Sequence, residues 1–261
     1  MKKMSRKEKR RLERLRRAGI LFAIISVSAV LFVLFNTSFF KLDVIGVSGC
    51  EKTSEQDIVN ASGFVYGENV LKANVKKAEQ NIKNLPYIKD VEISRESKNK
   101  IAIKVVEREE DFSYYSGGKI FVCDSEGRVL KQVEATDVLP LVKGNEIADI
   151  KPGDNIFKNE DLAALKSILE TAREVGELDK YKEIRFQKNN EFGMLREGNV
   201  KIDFGRAENV KYKFNFIVNA ISNLKENNQE AELIKLNMDP AVIVPKAGDK
   251  EWAKNFLYHC W

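Results

Sequence analysis

Side chains able to do catalytic chemistry are few and scattered in this chain. One histidine, His259, occurs in 261 residues. That excludes an HExxH zinc helix, and leaves a Ser-His-Asp triad only if the extreme C-terminus folds back into a site. Three cysteines, Cys50, Cys123 and Cys260, stand far apart with no CxxC, so zinc and thioredoxin-like sites fail on spacing. Cys50 and Cys123 suit small, partly buried positions. A disulfide among the three is not assigned by sequence. Ser116-Gly117-Gly118-Lys119 holds a GGK without the GxxxxGK frame, and a polar hairpin turn accounts for it. The acidic residues at Glu107–Asp111 and around Asp154 fit solvated linker and turn charges. A carboxylate pair for glycan hydrolysis would need a raised pKa and a sugar cleft, and nothing marks such a pair. Asn36-Thr37-Ser38 and Asn60-Ala61-Ser62 are sequons by pattern only. No catalytic residue, metal, cofactor or small-molecule substrate is expected.

The elements that would position function begin with a charge split. The chain carries 44 Lys+Arg against 39 Asp+Glu, a net of +5. Residues 1–17 hold ten basic and two acidic side chains, a net of +8, which leaves 34 basic against 37 acidic elsewhere, a net of −3. A body of that charge disfavours nucleic-acid binding. A hydrophobic content of 43% with 32% charged residues is that of a folded chain.

From Ala18 to Phe40 there is no charge. That span of 18–40 makes a helix of about 35 Å, enough to cross a hydrocarbon core of about 30 Å. A cleavable signal peptide is the rival, but the apolar stretch is long and lacks an A-x-A-like site. Residues 1–17 are therefore expected to be a cytoplasmic head. Arg10, Arg11, Arg14, Arg16 and Arg17, close to the span, are expected to set the topology, with only Lys41 just beyond it. The N-terminus is then cytoplasmic and the C-terminal part lies outside. The lipid bilayer is the first expected partner.

Residues 41–109 predict β-α-α-β-β. Phe40–Val47 reads as a strand. Ser54 with Asp57 resembles a short capping box, and Gly63 stops that helix. Asn74 caps a second helix bearing Val75, Ala78, Ile82 and Leu85, stopped at Pro86. Two alternating strands follow, with Ile88, Val91 and Ile93, then Ile101, Ile103 and Val105, around the polar turn Ser97–Lys100.

Residues 110–246 predict a mixed, mainly antiparallel β domain with two flanking helices. Strands fall at 112–115, 119–123 and 128–133, with a turn at Glu126-Gly127. An extended piece follows at 138–142, then a helix capped by Asn159. Further strands lie at 184–187, 193–196 and 200–204. A helix spans 210–224 with Phe214, Ile217, Val218, Ile221 and Leu224 on one stripe. Ala231–Leu236 is expected to be the last strand, with Ala241–Val244 extending it. Residues 247–261 form an aromatic-rich tail with Trp252, Phe256, Leu257, Tyr258 and Trp261.

The first domain resembles a POTRA domain. The residues that carry this are Val44-Ile45-Gly46-Val47, Gly67-Glu68-Asn69-Val70, Leu85-Pro86-Tyr87-Ile88-Lys89-Asp90-Val91-Glu92-Ile93-Ser94-Arg95 and Ile101-Ala102-Ile103-Lys104-Val105-Val106-Glu107-Arg108. The second resembles the β domain that follows POTRA in the bacterial division proteins FtsQ and DivIB. There the match lies in Asp124-Ser125-Glu126-Gly127-Arg128-Val129, Leu139-Pro140-Leu141-Val142-Lys143-Gly144 and Gly198–Gly205 followed by Lys213. The prolines often found after the Arg and after the Glu-Arg are absent, with Ser97-Lys98 and Glu109 there instead. The short head leans towards the DivIB type.

This resemblance implies an α+β, single-span protein of the bacterial cell membrane, enriched at the division septum. It would scaffold FtsB/DivIC-like and FtsL-like single-span partners during septal wall synthesis. Strand addition to an exposed sheet edge is the expected mode. The implied edge is the C-terminal one, with Leu233, Ile234, Lys235, Leu236, Met238, Val242 and Val244 as its residues. Pro240 departs from the Gly/Ser-rich turn usual there. An enzyme or regulator acting on cell-wall peptidoglycan, and a POTRA-type chaperone of secreted chains, stand as alternatives.

Overall fold

A computed structural model of the chain describes residues 6–36, 38–136, 138–186 and 190–246. The tail residues singled out above, with His259 and Cys260, lie outside this set. The chain is α+β and divides into two compact units, Met1–Glu107 and Arg108–Trp261.

The first unit opens with helix α1, Arg6–Asn36, in which Glu13–Val33 is long and apolar enough to cross a membrane. No residue of that stretch is buried within the protein. Arg10, Arg14, Arg16 and Arg17 are exposed on this helix, and Arg11 lies on it as well. A 3-10 turn at Ser38–Phe40 leads into strand β1, Val44–Ser48.

Helix α2, Glu55–Ser62, starts as the Ser54/Asp57 pair predicts. The Ser54 hydroxyl accepts from the Asp57 amide at 3.1 Å, and Gly63 closes the helix in the left-handed region at φ 70°. Asn74 caps helix α3, Val75–Lys83. Strands β2, Ile88–Ser97, and β3, Lys100–Glu107, form a hairpin, and β3 lies between β1 and β2 in a three-stranded sheet. Ile101, Ile103 and Val105 of β3 meet Ile58, Ala78 and Ile82 of the helices in one buried cluster, as alternation on one sheet face requires.

The second unit is a nine-stranded sheet with one core on one face. Its strands in chain order are β4 (Phe112–Ser116), β5 (Lys119–Cys123), β6 (Val129–Val133), β7 (Leu141–Lys143), β8 (Tyr181–Phe186), β9 (Glu191–Arg196), β10 (Lys201–Arg206), β11 (Ala231–Lys235) and β12 (Val242–Pro245). They lie side by side as β12-β11-β10-β9-β8-β7-β4-β5-β6. Helices α4, Ala163–Glu174, and α5, Val210–Glu226, pack on that face through Leu165, Ile168 and Leu169 and through Phe214, Ile217 and Ile221. Asn159 caps the 3-10 turn Glu160–Leu162 that precedes α4, rather than α4 itself.

One residue row shows why the sheet is one-sided. Tyr114, Val142, Ile184, Met194, Ile202 and Ile234 are register partners across six strands, and every one is buried. The rows on either side of it face away from the helices.

Candidate partner-binding edge

Ala231–Lys235 and Val242–Pro245 are two strands, not one. The expectation that 241–244 extends the preceding strand is corrected here. The exposed loop Asn237–Pro240, with a cis Asp239–Pro240 bond, reverses the chain. It is tied back to β10 where Leu236 N–H donates to Asp203 O at 2.7 Å and the Asn237 amide donates to the Asp203 carboxylate at 2.8 Å. Val242 pairs Lys235, Ile243 pairs Ile234 and Val244 pairs Leu233, all antiparallel. On its other side β11 pairs with β10, parallel. β11 is therefore an interior strand, and the outermost strand is β12.

This arrangement sorts the seven expected edge residues. Ile234 is fully buried and Leu236 nearly so, both in the core beneath the sheet, because alternate residues of a strand face opposite ways. Neither can present a side chain to a partner, which corrects their place in the expected site. Leu233, Lys235, Val242 and Val244 come together, half-buried, on the face away from the helices. Met238 sits apart in the loop, 53% exposed. Ile243, not picked out from sequence, packs against the core.

The open face continues inward along two rows. One runs Leu141, Glu183, Leu195, Lys201, Leu233, Val244; the other Lys143, Arg185, Gly193, Asp203, Lys235, Val242. Towards β7 and β8 it is charged. Lys143 Nζ donates to Glu183 at 2.7 Å, and Arg185 also bonds Glu183. Burial pushes the Glu183 carboxyl up, but these cations outweigh it and hold it below the usual range. Towards β12 the face sets the apolar Leu195, Leu233, Val242 and Val244 beside Lys201, Asp203 and Lys235. Gly193 has open space where a side chain would stand. A shallow groove of about 560 Å³ lies there, lined by Gly193, Leu195, Lys201, Asp203, Leu233 and Asn237 among others. Sequence reasoning missed the groove, though alternation in Gly193–Leu195 and Lys201–Asp203 carries its signal.

The two ends of the sheet differ. At the far end, β6 is engaged by a loop. Val129 N–H donates to Asp154 O and Gly153 N–H to Val129 O, each at 2.8 Å, and Arg128 bridges Asn155. Lys131 of β6 pairs with Glu110 at 2.7 Å. At the near end, no described strand or loop lies outside β12. Its sequence Val-Ile-Val holds no charge, and only Pro245 interrupts it. Natural sheets blunt exposed edges with charge, proline, bulges or cover, because unpaired backbone groups template another strand. β12 has one of these devices, at its last residue, and a register shift between Ala231 and Leu233 beside it.

Two other structural groups explain motif residues, and a third is an ion pair in the core. Asp124 accepts from the amides of Glu126 and Arg128 at 2.9 and 2.7 Å and pairs with Arg108 at 2.5 Å, which locks the turn at Gly127. Lys213 Nζ donates to Phe204 O and Arg206 O at 2.9 Å each, which ties α5 to the end of β10. The buried Arg196 pairs with the buried Glu177 at 3.0 Å. Burial also pushes the Cys123 thiol up, away from the reactive thiolate form.

A family comparison agrees with the fold of the first unit beyond α1. Residues 40–108 match the family model described as POTRA domain, FtsQ-type. The chain is similar to the cell division protein DivIB of Clostridium tetani, with 26% identity over 54% of this chain and 54% of the relative. It is similar to DivIB of Clostridium botulinum, with 28% identity over 61% and 62%. It is similar to the cell division protein FtsQ of Corynebacterium glutamicum, with 28% identity over 42% and 49%. The matches thus span about half to three-fifths of these curated relatives. Among solved structures, the major extracytoplasmic domain of DivIB from Geobacillus stearothermophilus aligns with 15% identity and a TM-score of 0.31, covering 46% of this chain and 97% of that one.

Proposed function

We propose that this chain, a member of the FtsQ/DivIB family of cell division proteins, is a non-catalytic scaffold of the division apparatus that binds FtsB/DivIC-like and FtsL-like single-span proteins. Its anchor is α1, with the arginine-rich head in the cytoplasm and the residues beyond the span outside, at the septum. The partner's extended segment adds to β12 as a tenth strand and lays alternate side chains on Leu233, Val242 and Val244. The observation that carries this is the contrast between the two sheet ends: β6 is engaged by a loop and a charge pair, while β12 presents an uncharged β-branched strand. Backbone hydrogen bonds would supply affinity, and the half-buried apolar row would supply register.

A charge on the edge is the direct test. Val242→Lys with Val244→Lys leaves the backbone and the core side of β12 unchanged. Affinity capture of the full-length protein from membranes should then recover the small single-span partners about ten-fold less, the effect of about 1.4 kcal/mol. Full recovery by a variant with wild-type thermal unfolding would sink the strand-addition model. A backbone-blocking substitution at Ile234 would not test it, because β11 is bonded on both sides.

A further inference from the structure

The first unit places exposed apolar side chains where the chain leaves α1. Val70 N–H donates to Phe40 O, Gly67 N–H to Leu42 O and Leu42 N–H to Glu68 O, each at 2.8 Å, and Lys41 bridges Asn69 in antiparallel sense. The connector 67–70 therefore lies alongside 40–42. Because the two run in opposite directions, the chain beyond Val70 turns back towards Phe39 and the helix end. Leu71 is 40% exposed and Phe39 59%. The hairpin turn between β2 and β3 comes to the same end, since Asp43 and Val44 both donate to Asn99 O. From that turn Lys98 places its ammonium 4.1 Å from the Phe39 ring centroid. Lys41, Lys72 and Lys98 are all exposed.

Little chain separates this ladder from α1. Lys41 follows Asn36 by five residues, three of them in a 3-10 turn that rises about 2 Å per residue. The polar layer flanking a hydrocarbon core is itself about 5–8 Å thick on each side. We propose that this end of the first unit is a membrane-docking face: Phe39 and Leu71 enter the interfacial layer of the leaflet from which α1 emerges, with Lys72 and Lys98 among the lipid phosphates. Aromatic and lysine side chains are the residues that suit this layer. The occupant is the bilayer that holds α1, because backbone pairing ties Val70, next to Leu71, to Phe40 in the stretch that leads out of the span. The inference rests on the membrane-anchored reading of α1.

Single tryptophans in the full-length protein separate the two ideas. With Trp252→Phe and Trp261→Phe as background, Leu71→Trp, Leu31→Trp and Tyr212→Trp are each reconstituted into phosphatidylethanolamine/phosphatidylglycerol vesicles. The lipids carry a doxyl quencher near the glycerol or deep in the chain. Leu71→Trp should be blue-shifted and lose about half its emission to the shallow quencher, as expected for a side chain at the headgroup boundary. Leu31→Trp should be quenched by the deep label, and Tyr212→Trp, on α5, by neither. Unquenched Leu71→Trp beside quenched Leu31→Trp overturns the docking face and leaves the anchor standing. Unquenched Leu31→Trp overturns both. Equal quenching of Tyr212→Trp and Leu71→Trp also overturns the docking face.

Discussion

At the scale of single residues, the adjacent pair Glu107-Arg108 shows charge used for structure. The Glu107 carboxylate accepts three successive amides, those of Glu51, Lys52 and Thr53, at 2.8, 2.8 and 2.7 Å. Arg108 instead bonds Asp124 and Glu126. Burial pushes the Glu107 carboxyl up, and the amide bonds outweigh it, so its folded pKa lies below the usual value. The stability it contributes is full above the ordinary glutamate pKa of about 4.3 and is lost as pH falls through the lower folded value. Glu107→Gln keeps one acceptor oxygen without the charge, and is expected to cost about 1–2 kcal/mol at neutral pH. Denaturant melts should show that difference at neutral pH and its disappearance in acid. Equal midpoints at neutral pH would contradict the role. The sequence displays Glu107 at a strand end but cannot display its partners, which lie more than fifty positions earlier.

At the scale of elements, β11 and β12 show what alternation can and cannot reveal. Period two already separates Ile234 and Leu236 from Leu233 and Lys235, since the two sets point to opposite faces. A single surface made of all seven edge residues was therefore inconsistent with a strand from the outset. What the sequence does not carry is the reversal at 237–240. An apolar stretch such as Ala241–Val244 has the same composition whether it continues a strand or returns beside it. The elements of the first unit were more legible, because Ser54, Gly63, Asn74 and Pro86 punctuate them locally. The split has an energetic consequence. Ile234→Ala removes fully buried methylene and methyl groups and is expected to cost about 2–4 kcal/mol. Leu233→Ala, half-exposed on the open face, should cost under about 1 kcal/mol while weakening partner capture. Equilibrium unfolding of the two variants checks this, and equal losses would contradict the facing assigned to β11.

At the scale of the whole molecule, the uneven charge distribution bears on orientation. Ten basic side chains precede the apolar span, and only Lys41 and Lys52 follow it within about 20 residues of its C-terminal end. Residues 18–261 keep a net of −3, so the basic excess of the chain lies entirely ahead of the span. Orientation follows the difference in Lys and Arg close to the two ends, and acidic residues count for little. Replacing Arg10, Arg11, Arg14, Arg16 and Arg17 by Gln leaves five basic residues against two, and the N-in orientation should hold for most molecules. Replacing all ten leaves none against two, and about a tenth or more of the molecules should then insert inverted or fail to translocate. Protease added to intact spheroplasts reads the result, since residues beyond the span are protected when they lie on the cytoplasmic side. Full accessibility after all ten replacements would mean that the folded bulk beyond the span, and not the head, decides which way the chain crosses.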